Sequence, residues 1–340
     1  MTDTTADRSA APRDSRIITR FVQANGLTFE VDQCGEGDKL AICLHGFPES
    51  SYSWRYQLPM LADQGYTAWA PNLRGYGKSS RPPFVEDYAM QHLLDDVAGL
   101  IDAAGKQEVV LMAHDWGAVI AWQFAMAKVR PLTKLIICNV PHPVAMQKAF
   151  SFAQLKKSWY VFFFQIPGLA EKLLGRHHAQ PIADMFQNTC VDKSMFPQEV
   201  VEVYRKNAAQ PGALTAMVNY YRALLRFRAK PKKGEKSPII LTPTLMIWGE
   251  DDVALTKETT YGTENYVEDF RIRYLPRISH WVQQEAPEVT NEMIKAFLQD
   301  QPVPYAQWQM KLVASLLSAS DERAAEKAAA DAEEAAKKKK

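Results

Sequence analysis

VVLMAHDWGA, residues 109–118, reads as a buried strand that runs straight into a helix. The apolar run Val109–Ala113 has strand length, and a helical pattern follows over about Ala118–Val129. Two small residues, Ala113 and Gly117, stand two positions either side of Asp115. A turn that sharp leaves no room for larger side chains. The pattern is that of a nucleophile elbow, G-x-S-x-G, with an aspartate in the serine's place. A helix N-terminus behind Asp115 favours its charged form. Aspartate is also a common N-cap, so the elbow reading needs support from the rest of the chain.

Outward from this segment, short apolar β-branched runs recur at Ile17–Gln23, Leu27–Val31, Leu40–Leu44, Thr67–Ala70, Leu135–Val140, Thr244–Trp248 and Arg271–Leu275. Helical stretches fall between most of them, at about Trp54–Asp63, Ala89–Ala104 and Val289–Leu298. Alternating strands and helices predict an α/β fold, a mostly parallel sheet flanked by helices. Only a tight Ala-Asn-Gly turn separates the first two runs, which predicts an antiparallel hairpin. The alternation breaks over 141–242, a helical, aromatic stretch read as a cap inserted between two sheet strands. It ends in the basic linker AKPKKGEKSP (229–238). The core is then 17–140 with 243–302. Residues 1–16, with almost nothing to bury, are expected to be disordered. Residues 303–340 form a tail whose end is Ala/Glu/Lys low complexity, expected to be helical and solvated.

Three more segments join the elbow. His45-Gly46-Phe47-Pro48 follows the strand Leu40–Leu44, where this fold takes one oxyanion-hole N–H; the other comes from the residue after the nucleophile. Those are Phe47 and Trp116. The Phe47–Pro48 bond is a candidate for the cis form, and His45 reads as structural. Trp248-Gly249-Glu250-Asp251-Asp252 offers the acid, with Asp252 preferred to Asp251 because it lies three residues past the glycine. Ser279-His280-Trp281 offers the base. The order 115, 252, 280 is that of the α/β-hydrolase fold, unlike other hydrolase folds. All four segments follow carboxyl ends of strands, where ligands bind in open α/β sheets. GYGKS (75–79) is not a phosphate loop, since Asn72 stands where its first glycine belongs.

Composition narrows the classes. Lys+Arg number 40 against Asp+Glu 39, a net charge of +1, with no clustered basic excess of the kind that marks a nucleic-acid partner. The start of the chain is polar and lacks a secretory signal, and no run approaches a membrane span. Of the four cysteines, Cys43 and Cys138 sit in apolar strands and read as core residues. No Cys/His spacing suggests a metal, and no cofactor is expected. A cytoplasmic protein, monomer or homodimer, is the expectation.

A carboxylate nucleophile restricts the chemistry. Attack on an ester would give a reactive anhydride. Displacement at saturated carbon gives an ordinary ester, which water, deprotonated by His280 and oriented through Asp252, can hydrolyse. An epoxide oxygen or a halide fits as leaving group. The first needs a proton donor such as tyrosine, neutral at pH 7; the second needs side-chain N–H dipoles. Phe47 has none, Trp116 has one, and Trp159 is a conceivable second.

HGFPES (45–50), AHDWGA (113–118), WYVFFFQIPG (159–168), NYYR (219–222), WGEDD (248–252) and SHWVQQEAP (279–287) resemble the corresponding segments of soluble epoxide hydrolases of the α/β-hydrolase fold. The resemblance covers roughly residues 20–300. It implies an inserted helical cap domain and a covalent Asp115 ester. Two cap tyrosines that protonate the opening ring carry over to Tyr160 and to Tyr221, with Tyr220 adjacent as the alternative. Phe47, Trp116 and Trp159 are expected to contact substrate. The aromatic cap suggests an apolar epoxide, with water as co-substrate. A haloalkane dehalogenase on the same scaffold and a non-catalytic ligand receptor are the alternatives.

Overall fold

A computed structural model describes residues 13–227 and 237–306. Eight strands form one sheet: β1 (Ile18–Ala24), β2 (Leu27–Cys34), β3 (Lys39–Leu44), β4 (Tyr66–Pro71), β5 (Val109–His114), β6 (Lys134–Cys138), β7 (Thr244–Gly249) and β8 (Phe270–Leu275), in the order β1-β2-β4-β3-β5-β6-β7-β8. β1 and β2 form the antiparallel hairpin expected for the Ala-Asn-Gly turn, and β2 also runs antiparallel to β4. From β4 to β8 every pairing is parallel. Every residue of β4, β5 and β7 is buried, as strands covered on both faces must be. The cover comes from α1 (Gln57–Asp63), α2 (Met90–Ala104) and α3 (Trp116–Ala127), with two further helices after β8.

Between β6 and β7 the described chain is helical: α4 (Pro143–Lys148), α5 (Phe152–Lys157), α6 (Trp159–Phe163), α7 (Leu169–Leu174), α8 (Arg176–Thr189), α9 (Gln198–Ala208) and α10 (Ala213–Arg226). The first turn of α8 is irregular, because His177, His178 and Ala179 take left-handed backbone angles. After β8 come α11 (Val282–Glu285) and α12 (Pro287–Leu298). α12 begins at Pro287, earlier than the apolar pattern suggested, since proline suits the first helical turn. The helix expected from Trp54 is split. Ser50 caps a 3₁₀ turn over Ser51–Trp54, and α1 starts after it.

Residues 13–16, expected to be disordered, are held by charge rather than by apolar burial. Arg13 pairs with Asp32 at 2.7 Å and Arg16 with Asp63 at 2.7 Å. Residues 1–12, most of the linker 229–238 and residues 307–340 lie outside the described residues. The described residues 303–306 belong to a unit separate from residues 13–302. All four cysteines are free and buried. No helix among the described residues is long and apolar enough to cross a membrane.

The parallel register sets up the site. Leu44 pairs with Ala113, His114 with Cys138, Cys138 with Ile247 and Gly249 with Leu275. The carboxyl ends of β3, β5, β6, β7 and β8 therefore finish level, and the loops that follow them open onto one edge.

Candidate active site

Asp115 sits at the junction of β5 and α3 with φ 45° and ψ −121°, a left-handed conformation that is costly for a residue with a Cβ. The turn survives because its neighbours are small. A Cβ on Gly117 would lie 2.3 Å from the Leu44 carbonyl oxygen, and one on Gly46 would lie 2.3 Å from the Asp115 side chain. The reward for this geometry is close approach. Phe47 N–H donates to Asp115 Oδ1 at 2.6 Å, across a loop whose Phe47–Pro48 peptide is cis.

His280, after β8, places Nε2 at 3.5 Å from Asp115 Oδ2 and donates from Nδ1 to Asp252 Oδ2 at 2.6 Å. Asp252 is buried and fully engaged. Its Oδ1 accepts from the backbone N–H groups of Ala254 and Leu255 at 2.7 and 2.9 Å. Asp251 is exposed. Burial works against a charged His280, but the charges of Asp252 and Asp115 and their hydrogen bonds outweigh it, raising its pKa to about 10. Burial likewise pushes the Asp115 carboxyl up. The hydrogen bond and charge of His280 win, and it is held below the usual carboxylate range.

Asp115 and His280 open into a cavity of about 380 Å³ whose wall is mostly aromatic, with Phe47, Trp159, Tyr160, Phe164, Tyr221 and Trp281 on it. Tyr160, from α6, and Tyr221, from α10, meet edge to face with ring centroids 5.8 Å apart. Burial, with the Asp115 charge nearby, raises both phenols far above pH 7, so both stay protonated. Tyr220 points elsewhere, with its hydroxyl donating to the Arg74 carbonyl at 2.9 Å. Trp116 is not on the cavity wall. Its indole is buried and packs edge-on against Tyr221 and Tyr220, at 5.0 and 5.3 Å between centroids. The indole thus supports a tyrosine of that wall. Trp159 lines the mouth and is largely exposed. Among the described residues no cluster of three or more His, Cys, Asp or Glu side chains is arranged to hold a metal ion.

The profile of the alpha/beta hydrolase fold family matches residues 41–285. Epoxide hydrolase 3 of Xenopus tropicalis is 40% identical over 274 residues, spanning 78% of this chain and 73% of that protein. This chain belongs to the epoxide hydrolase family of α/β-hydrolases. The AB hydrolase superfamily protein YfhM of Bacillus subtilis is 35% identical over 288 residues, 84% of this chain and 99% of that one. Among solved structures, a Bacillus megaterium epoxide hydrolase in complex with an inhibitor superposes with a TM-score of 0.74 at 28% identity, over 82% of this chain and all of that one.

Three features of this epoxide hydrolase site escaped the sequence reading. Asn139 follows β6 at φ 48°. Its amide donates to Asp252 Oδ2 at 2.8 Å while its oxygen accepts from Gly249 N–H at 2.8 Å. The clue was an asparagine just past a strand, a residue that tolerates left-handed backbone. Glu49 and His114 form a fully buried pair at 2.7 Å beneath the site. Glu49 also accepts from Gly46 N–H, Gln283 and Gln284, and the second nitrogen of His114 faces the His280 carbonyl at 2.8 Å. Lys157 donates to the Asp252 carbonyl at 2.6 Å and ties α5 to the acid loop. His45, read as structural, bonds Gly46 O and accepts from Leu73 N–H, and burial lowers it to about 4, so it stays neutral.

Proposed function

We propose that the protein opens apolar epoxides to vicinal diols through a covalent Asp115 ester. The observation that carries this reading is one aromatic cavity holding a partly buried carboxylate, two neutral phenols and an imidazole. The names of the relatives point the same way. On this reading the core, 17–140 and 243–302, supplies nucleophile, base and acid. The inserted segment 141–242 is a cap that supplies the proton donors.

Phe47 N–H already holds Asp115 Oδ1, which becomes the ester's carbonyl oxygen. Oδ2 attacks a ring carbon, the carbon–oxygen bond breaks, and the oxygen takes a proton from Tyr160 or Tyr221. Esterification removes the anion beside His280 Nε2. The imidazole loses one of the charges that raises it, so its neutral form, the one able to accept a proton, is more populated. It takes a proton from water as the water attacks the Asp115 carbonyl carbon. Phe47 and Trp116 N–H groups stabilise the oxyanion. On its collapse the leaving diol oxygen takes the proton held by His280, and the remaining proton of the attacking water passes from the Asp115 carboxyl to the tyrosinate, restoring both residues.

The experiment is pre-steady-state alkylation of a Tyr160→Phe/Tyr221→Phe variant, with circular dichroism to establish its fold. Positioned acid catalysis contributes roughly a hundredfold to ten-thousandfold. Single changes should lose part of the alkylation rate and the double change nearly all, without additivity, because one proton transfer is shared. Near-normal alkylation by an epoxide would remove the tyrosines from the mechanism. Halide release from a haloalkane by the same variant would move the assignment to a dehalogenase. That alternative needs side-chain N–H donors; of the two indoles on the cavity wall, Trp281 already donates to Thr189 Oγ1 at 2.9 Å, which leaves Trp159.

A further inference from the structure

The turns from Ser151 to Ile166 are built inside out. Backbone bonds from Leu155, Ser158, Val161, Phe164, Gln165 and Ile166 keep the segment helical almost throughout. Phe152, Leu155, Trp159, Phe162 and Ile166 recur at spacings of three and four, which puts them on one face. In a globular helix that face is buried. Here it faces solvent, with Phe152 83%, Trp159 62% and Phe162 58% exposed. The residue turned inward is polar. Gln154 is fully buried, donates to the Ala254 carbonyl at 3.0 Å and accepts from Thr256 N–H at 2.9 Å. With the Lys157 bond to the Asp252 carbonyl, these contacts fix the rotation of the segment and hold its aromatic face outward.

Within the segment itself the charges have one sign. Residues 143–170 contain Lys148, Lys156 and Lys157 and no carboxylate. The first acid beyond, Glu171, is paired with Arg222 at 2.7 Å. A short amphipathic element with exposed Trp and Phe on one side and lysines beside them is the composition that lies in the headgroup region of an anionic bilayer. Trp159 belongs to both this face and the cavity mouth.

We infer that the face Phe152–Ile166 docks on anionic lipid surfaces and turns the cavity mouth toward the bilayer. An apolar substrate dissolved in lipid would then enter past Trp159 without crossing water. This delivery step rests on the epoxide reading, whereas docking does not, and docking is measured without turnover.

The test is flotation of the full chain with phosphatidylcholine vesicles, with and without phosphatidylserine. Wild type should bind the serine-lipid vesicles and release in high salt. Phe152→Ser/Phe162→Ser should bind at least about tenfold more weakly, while hydrolysing a water-soluble epoxide at the wild-type rate. Lys148→Glu/Lys156→Glu should lose the preference for anionic lipid. The C-terminal lysines are present in every protein compared, so a difference between them reports on the cap face. Equal binding by wild type and both variants, or no binding at all, would overturn the inference. So would a dimer in sedimentation velocity that the Phe152→Ser/Phe162→Ser change dissociates, since the face would then be covered by a second copy.

Discussion

Asp115 is flanked by an imidazole whose charged form it helps to sustain. His280 is raised to about 10 by Asp252 and Asp115 together. Replacing His280 with Gln should leave alkylation possible and stop hydrolysis, so the ester accumulates. Intact-protein mass spectrometry would then show an increase equal to the substrate mass. A His280→Gln enzyme that turns over normally would exclude His280 as base. Asn139 acts one layer out. Its amide holds Asp252, and a hydrogen bond to a charged group contributes about 1.5–3 kcal/mol. Asn139→Ala should slow ester hydrolysis by roughly tenfold or more and leave the alkylation rate near wild type. Equal losses in both steps would mean that the substitution disturbs the cavity as a whole. Asp115, Asp252 and His280, which the structure brings together, stand out in the sequence because each lies in a short motif at a strand end. Asn139 does not, because a lone asparagine after a strand takes meaning only when β6 and β7 lie side by side.

At the scale of elements, the elbow is where local sequence and packing meet. α3 follows Asp115 directly, and Gly117 in its first turn touches the backbone of β3. Gly117→Ala raises helix propensity, yet its Cβ would meet the Leu44 carbonyl oxygen at 2.3 Å. Overpacking of this kind costs about 1–3 kcal/mol, more than the ~1 kcal/mol gained from propensity. The expected outcome is a lower denaturation midpoint together with reduced alkylation, since Asp115 must move. A more stable, fully active Gly117→Ala protein would show that the turn is looser than its geometry implies. In α5–α6 the apolar residues recur with a helical period, which in a globular helix ordinarily marks a buried face. Gln154 and Lys157, bonded to the loop after β7, turn it the other way, a result no window on the helix alone contains.

Across the whole molecule, the buried charges link the site to stability. A histidine free in the unfolded chain titrates near 6.5, and folding raises His280 to about 10. The folded state therefore holds more protons than the unfolded state between these values. The stabilisation is fully present below about pH 6.5 and is lost as pH rises through the folded pKa. The stability difference between wild type and His280→Gln, from urea melts at a series of pH values, should shrink from pH 7 to pH 10. A difference that grows over that range would contradict a charged His280 in the resting enzyme.

By itself the sequence determined the strand–helix alternation, the parallel sheet with its antiparallel hairpin, and the elbow with its acid and base in chain order. These are written locally, in the periods of apolar residues and in the side chains at strand ends. It also carried the resemblance from which Tyr160 and Tyr221 were named. The tertiary structure decided how chemically equivalent neighbours are used: Asp252 rather than Asp251 bonds His280, Tyr221 rather than Tyr220 faces the cavity, and Trp159 is on the wall with Trp116 behind it. Adjacent residues on a loop or helix differ only in direction. Direction is set by contacts between elements far apart in the chain, and here those contacts are hydrogen bonds that bury a polar group with its partner.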